Sequence, residues 1–503
     1  MKRPYIPKNN AVLFIIFAIY SLLVLFGISH HEPWRDEAHP WRWAREASIP
    51  EMVANVPNEG VPITWFVILS PFAKAGLPFE TMGIIHAGIA IFAIWLLLFV
   101  NKNIPLPVKI LLIFSYLLAY EYAVVQRNYV LTWALLLSVA AIYPRRFDKP
   151  VLYGMLIVLL YQANIFSLVP AGFLTVLYGF EMYRYGKFNV ARFTVLTLMV
   201  AQGVFTAALL TPNPELVNWA KPQDISSQFT KVLRQSIVPS LPIDKPDIIQ
   251  LPYFSQIIRI GTVICLATLI PILIHNIPLT LMALVTWGYF YYINVYVYSG
   301  YNRHHGLTLI SIIFFLWMTG KHQHRDLIRR ISWNIFLFVF SCLLGISWIY
   351  TGFSYVNDYR YPFSGGKDMA AFIKRNRIEN WDIAAYHAYM TIDVLVYFND
   401  RQFWYPEYQR AGSFNVIDAR HKRINDALPP DVAVSLAKNA FPKSRPFLLL
   451  LDFPLPENDP EGFTLIHHSP AVYFWGKNDN FWLYANPAGL KLLRTGENIN
   501  AGS

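Results

Sequence analysis

The chain has 503 residues and a formal net charge of +11; 55% of its residues are apolar, 16% aromatic and only 15% charged. That balance excludes an ordinary soluble enzyme and a disordered chain, and points to a polytopic membrane protein. The basic residues fall in short clusters between apolar runs, not along one face or tail, which excludes a nucleic-acid partner and matches the positive-inside pattern.

Residues 11–29 (AVLFIIFAIYSLLVLFGIS) are uncharged and long enough to cross a hydrocarbon core of about 30 Å at about 1.5 Å per residue. His30, His31, Glu32 and Pro33 follow where a small-residue cleavage site would stand, so a retained first helix is expected rather than a signal peptide. The outer loop 30–60 contains a stretch, ARE-ASIPEMVANV, that suggests a short amphipathic helix near the headgroups. The apolar run 62–78 is short and interrupted by Pro71. Were it to cross, Lys102 and Lys109 would emerge on the wrong side, so it is expected to lie in the interface.

Further spans are predicted near 80–100, 108–122, 128–143, 150–165, 167–182, 193–211, 253–274, 278–298, 306–320 and 331–350, about eleven in all with the first helix. Lys2/Arg3/Lys8, Lys102/Lys109, Arg145/Arg146/Lys149, Arg184/Lys187/Arg192 and Lys321/Arg325/Arg329/Arg330 then face the cytoplasm. Segments 120–128, 212–252 and 299–305 face outward, and the proline-bounded 212–252 loop is expected to be a mobile cover. Cys265 and Cys342 both fall inside predicted spans, so neither a disulfide framework nor a cysteine zinc site is expected.

Beyond residue 351 hydrophobicity drops. GGKDMAAFIKRNRI reads as a helix, and WDIAAYH and RPFLLLLDF read as buried strands. The expected organisation is therefore an all-α polytopic membrane domain with juxtamembrane helices, residues 1–350, and a C-terminal α/β domain on the outer side, residues 351–503. Aromatics at Trp475, Phe481, Trp482 and Tyr484 could stack on sugar rings, but their ordinary reading is a hairpin core.

Three outer segments are dense in polar residues: His30 to His39, Tyr120 to Tyr129, and Tyr298 to Gly306. The ordinary reading of Arg35, Arg42, Trp34, Trp41 and Trp43 is headgroup anchoring, and that of His304 and His305 is satisfied interfacial histidines. His86, alone within a span, reads as a hydrogen-bonded core residue. Glu121 and Arg127 sit near the hydrocarbon edge, where unpaired charge is expensive and usually functional. Carboxylates and arginines gathered at a membrane surface suit sugar transfer from a polyprenyl-phosphate carrier. A carboxylate can deprotonate the acceptor hydroxyl, and arginine forks can stabilise the departing phosphate.

The acidic pair directly after the first span, the juxtamembrane segment and the C-terminal outer domain resemble the membrane-embedded glycosyltransferases of the C-type fold. That superfamily includes the protein O-mannosyltransferases and the bacterial lipid A aminoarabinose transferase; WRDEAHPW, NEGVPITW and YNRHHGL are most similar to a bacterial branch of it. The resemblance spans about residues 10–350. It implies Asp36 as the catalytic base, with Glu37 orienting it or the acceptor, and Arg127 of the Gln-Arg-Asn-Tyr stretch as a donor-phosphate ligand. Arg303 and His304 are placed beside the phosphate, and Tyr129, Glu59 and His305 beside the substrate, by the same motifs. Many relatives begin the juxtamembrane segment with a His-Pro-Pro-like stretch, where this chain has Gly60-Val61-Pro62.

The partners so implied are a polyprenyl-phosphate-linked sugar, an envelope glycan, lipid or protein acceptor, and membrane lipid, with the active site on the periplasmic side of a bacterial inner membrane and the N-terminus cytoplasmic. No cofactor is called for, and a divalent cation is left open. Three rivals stand beside this reading. A metal site in HEPWRDEAH has suitable ligands but no established spacing. A transporter or flippase of lipid-linked sugars would favour repeated halves and polar residues at mid-membrane, and neither is evident. A glycan polymerase or ligase is disfavoured by the acidic pair after the first span.

Overall fold

The structure is a computed structural model and describes residues 8–211, 224–239, 252–320, 326–413, 428–456, 459–470 and 479–495. The chain starts with α1 (Lys8–His30), apolar on every side. Phe14, Ile15, Ile19 and Leu22 stand exposed on it, as expected of a helix whose solvent is lipid. Then come α2 (Arg35–Glu46), α3 (Ile49–Glu59) and α4 (Thr64–Lys74).

Local chemistry sets the ends of α3. Ser48 and Glu51 cap its start reciprocally, and Gly60 closes it with φ of 66°, a left-handed conformation natural to glycine. The α4 helix has 11 residues, roughly 16 Å at 1.5 Å per residue, and is too short to cross. It packs against α2.

Six helical segments among the described residues are long and apolar enough to span: Ala11–His30, Thr81–Val100, Ile165–Arg184, Val190–Leu209, Tyr253–Leu273 and Leu327–Arg360. The expected count of about eleven is therefore not confirmed among the described residues. The other five predicted spans do contain helices, Leu106–Ile113, Tyr129–Ile142, Pro150–Tyr161, Ile277–Tyr292 and Leu307–Met318, but the apolar runs are interrupted. One interruption is the Gln162–Asn164 turn, where the Asn164 side chain caps the next helical turn by accepting from the Phe166 N–H at 3.0 Å. Another is the break at Phe114–Ser115, where the helix Leu106–Ile113 ends. Hydropathy registers apolar content and is blind to such breaks.

The C-terminal part follows Leu327–Arg360, which runs past residue 350. Its strands among the described residues are β1 (Asp382–Tyr386), β2 (Phe403–Tyr405), β3 (Arg410–Gly412), β4 (Phe447–Leu451), β5 (Thr464–His468) and β6 (Trp482–Ala485). They form one mixed sheet in the order β3-β2-β1-β4-β6-β5. The two strands predicted from WDIAAYH and RPFLLLLDF are β1 and β4, which pair in parallel from Asp382–Phe447 to Tyr386–Leu451.

Every β4 residue is buried, because the strand is central and both sheet faces are covered. Leu448 and Leu450 enter one core, with Phe481 and Leu483. Phe447, Leu449 and Leu451 enter the other, with Tyr484 and Tyr386. An unbroken apolar run instead of an alternating one is what such a position requires. Phe481, Trp482 and Tyr484 thus belong to a β5–β6 hairpin and its cores, while Trp475 lies outside the described residues. The expected class, helical membrane part plus C-terminal α/β part, is the one observed.

Candidate active site

PWRDEAHPWRWARE forms α2, turned back directly after α1. Glu37 sits at its third position and accepts from the Trp34 N–H at 3.2 Å, supplying the acidic cap that a helix N-terminus favours. Successive helical residues point about 100° apart, so the adjacent carboxylates of Asp36 and Glu37 face different surroundings.

Asp36 meets three other parts of the chain. Its Oδ2 accepts from Arg303 Nη2 at 2.8 Å and lies 3.4 Å from Arg127 Nη1. Arg127 also donates to the Asp36 backbone carbonyl, and the Tyr389 hydroxyl donates to Asp36 Oδ1. The Arg303 guanidinium lies over the rings of Trp34 and Tyr301, 5.5 and 5.3 Å from their centroids. Burial opposes the charge on Asp36, but Arg127, Arg303 and Arg35 outweigh it and hold the carboxyl well below the usual carboxylate range. Two guanidinium groups thus share one carboxylate. Arg127 keeps 17% of its side chain exposed, and the only side-chain hydrogen bond it makes among the described residues is the one to the Asp36 backbone carbonyl.

Glu37 is fully buried. Its Oε1 accepts from the Gln126 N–H at 2.5 Å, and its Oε2 lies 3.1 Å from His31 Nε2. The other nitrogen of that ring, Nδ1, meets Asp358 at 2.9 Å, and Asp358 also accepts from the Tyr120 hydroxyl at 3.0 Å. Burial disfavours a charged His31, yet Asp358 and Glu37 prevail and raise its pKa well above the usual histidine value. Glu37 therefore ties α2 to the Arg127 turn and to the end of Leu327–Arg360, and its oxygens point into protein.

The remaining predicted residues lie around this centre. His304 Nδ1 accepts from the Tyr301 N–H at 3.0 Å, and its ring centroid is 5.4 Å from that of Tyr129. Burial and then Arg303 lower its pKa well below the usual value, leaving a neutral ring with its proton on Nε2. His305 turns away to Gln235, Nδ1 to Oε1 at 2.6 Å. Gly300 permits this packing: a Cβ there would lie 2.9 Å from His304 Cβ and 3.0 Å from His305 Nε2. Glu59 meets His39 at 3.5 Å, one turn along α2 from Asp36.

Glu121 is buried and accepts from the Tyr116 hydroxyl at 2.6 Å. The His86 ring faces the carbonyls of Ala123 and Arg127, each at 3.2 Å, and so braces the turn carrying Arg127. That is the core role expected of it. Of the 212–252 loop, the helix Ile225–Gln235 is described; it docks through Lys231 Nζ on the Gly300 carbonyl at 3.0 Å and through Gln228. The rest of the expected cover lies outside the described residues.

One expectation changes, and one rival reading weakens. Arg42, read as a headgroup anchor, is 1% exposed and donates to the backbone carbonyls of Phe398, Asn399, Arg401 and Ser413. It clamps α2 to the C-terminal sheet region, and Trp41 and Trp43 are equally buried. The metal reading of HEPWRDEAH loses its ligands: His31 has both ring nitrogens engaged, and no group of three or more His, Cys, Asp or Glu among the described residues is placed to hold an ion.

Sequence reasoning missed the outer domain's share in the site. Tyr389 and Met390 come from the helix Ala388–Leu395, directly after β1. Arg35 pairs with Asp479, touches Met390 Sδ at 2.9 Å and lies 5.4 Å from the Tyr389 ring centroid. One available signal was that functional residues gather beyond the carboxyl ends of parallel strands.

No family model matches the chain, and neither does any curated protein. Two solved structures of ArnT from Cupriavidus metallidurans resemble it in fold at 11% sequence identity, one bound to undecaprenyl phosphate and one in the apo state. Their TM-scores are 0.49 and 0.48, and each match covers 96% of this chain and 99% of the other.

Proposed function

We propose that the protein is a membrane glycosyltransferase that moves a sugar from a polyprenyl-phosphate carrier to a hydroxyl of an envelope glycan, lipid or protein. The observation that carries this reading is the Asp36 carboxylate held between Arg127 and Arg303, largely shielded from solvent beside the ends of apolar helices. A cluster with more guanidinium than carboxylate charge, sheltered from water, favours entry of an anion. An anion on a lipid tail can arrive there from the bilayer.

In this scheme Arg127 and Arg303 bind the donor phosphate and Asp36 accepts the acceptor proton. The acceptor oxygen forms the new bond to the anomeric carbon, the bond from that carbon to the phosphate oxygen breaks, and polyprenyl phosphate leaves with the electron pair. Attack opposite the leaving group inverts the anomeric centre. A carboxylate paired to two arginines is a weak base. The donor phosphate, by drawing charge from both guanidiniums, restores its basicity, so donor binding primes the base.

Glu37 acts here as a positioning residue, while His304 and Tyr129 line the donor side. The active site faces the periplasm and the N-terminus the cytoplasm. This agrees with the helix Tyr129–Ile142, which begins at the site and ends at the basic Arg145–Arg146 pair, roughly 20 Å away at 1.5 Å per residue.

The test compares purified wild type with Asp36→Asn in matched lipid, feeding a panel of labelled undecaprenyl-phosphate sugars and counting label on envelope extract. Wild type is expected to transfer from one donor, and the variant to bind that donor but transfer about 10²–10⁴-fold more slowly. Equal transfer by the variant removes the base assignment. No transfer by wild type across the panel removes the enzyme reading in favour of a carrier of lipid-linked sugars.

A further inference from the structure

The Tyr389 hydroxyl donates to Asp36 Oδ1, which is the bond an acceptor hydroxyl must make before it can lose its proton to that carboxylate. The phenol comes from the outer domain, 353 residues away in sequence, and it is held firmly. Arg35 lies against its ring, pairs with Asp479 and reaches Met390 next along the helix. The same helix rests on α2.

We propose that Tyr389 is a resting-state stand-in for the acceptor: its hydroxyl occupies the base until the true acceptor displaces it, and so keeps water from consuming the donor. This rests on the glycosyltransferase reading above. Oδ2 is engaged by the two arginines, so Oδ1 is the oxygen left for a nucleophile, and the phenol fills that position. Burial and then the neighbouring Asp36 push the Tyr389 ionisation well above the ordinary phenol range; the group donates its hydrogen bond without surrendering the proton. An inert hydroxyl at the nucleophile position costs the enzyme no donor.

Without the phenol hydroxyl, water can take its place on Asp36. Its oxygen then bonds to the anomeric carbon, its proton passes to Asp36, and polyprenyl phosphate leaves with the electron pair of the broken bond. The signature is therefore a gain: release of free sugar in the absence of any acceptor. A merely structural tyrosine would give a loss instead.

The experiment uses full-length wild type, Tyr389→Phe and Asp479→Asn in nanodiscs, with the undecaprenyl-phosphate sugar that wild type turns over and no acceptor. Free sugar is counted and the protein is weighed by mass spectrometry. Tyr389→Phe is expected to raise release on the order of tenfold, the scale of one hydrogen bond to a charged group. Asp479→Asn, which loosens the hold on Arg35, is expected to raise it less. Unchanged or reduced release in both variants overturns the proposal, and so does a sugar adduct on wild-type Tyr389, which would make it a nucleophile. Wild type that turns over no donor brings down the glycosyltransferase reading, and this inference with it.

Discussion

The surroundings of Asp36 and of Glu37 begin one residue apart and are built on opposite terms. Around Glu37 every partner is protein: a backbone N–H on one oxygen, His31 and the cap of α2 on the other, with Asp358 and Tyr120 behind the imidazole. Around Asp36 the partners are side chains that another ligand could recruit, namely two arginines and a phenol. The first network is enclosed by the protein and holds the scaffold. The second is neutralised only by contacts that can be exchanged, which is the condition a binding site needs.

The sharpest way to break this contrast is Glu37→Gln. It leaves Asp358 as the only carboxylate on His31, while the amide oxygen can still accept from the Gln126 N–H that ties α2 to the Arg127 turn. Weakening a buried pair by removing one partner's charge costs up to about 3–5 kcal/mol, so the thermal midpoint in detergent is expected to fall below that of wild type. The pH dependence has a definite sign. His31 has a folded pKa well above its usual value, so its stabilisation is complete below the unfolded value of about 6.5 and is lost as pH rises through the folded value. In Glu37→Gln the folded value drops, and alkaline destabilisation should begin at lower pH. A variant as stable as wild type with the same alkaline limit would erase the distinction between the two carboxylates.

Next in size is the arginine pair. Arg303 is buried between two rings and bound to Asp36, whereas Arg127 keeps donors in reach of solvent. Lysine retains charge but not the fork that grips phosphate oxygens. Arg127→Lys is expected to weaken undecaprenyl phosphate binding about tenfold with little change in the thermal midpoint. Arg303→Lys should weaken binding similarly and lower the midpoint as well. Tryptophan fluorescence titration with undecaprenyl phosphate measures the first effect. Undiminished affinity in both variants would place the phosphate elsewhere.

The limits of the sequence follow from the same contrast. Apolar composition makes a membrane protein legible, and the strand FLLLL declares itself because a doubly covered position permits nothing polar. The three outer segments that meet at Asp36 could be named because each stands out in charge against an apolar background. Tyr389 and Asp479 could not, since an ordinary tyrosine and aspartate in a soluble domain carry no such contrast. Arg42 was misread for a related reason. Its four carbonyl partners, from residues 398 to 413, exist only once the outer sheet has folded. The span count is not confirmed, because an apolar run conceals where a helix stops, as at Gln162–Asn164.

The smallest expected effect lies in the outer domain and sharpens the comparison from outside the site. Glu407 accepts from the Ala388 N–H at 2.8 Å, at the start of the helix that carries Tyr389, while its Oε2 is buried without a partner among the described residues. Burial pushes its carboxyl up to about 7. A carboxyl raised from about 4.5 is protonated in the folded state where the unfolded chain is ionised, so stability falls as pH rises from about 4.5 to about 7 and stays reduced above. Glu407→Gln keeps an acceptor for the Ala388 N–H and removes the ionisation. Relative to wild type, its thermal midpoint should be unchanged near pH 4.5 and higher at pH 8, by the equivalent of on the order of 1–3 kcal/mol. A variant that loses stability equally at both pH values would mean that Glu407 is ionised and paired, and that the Tyr389 helix is anchored by charge as firmly as α2 is by Glu37.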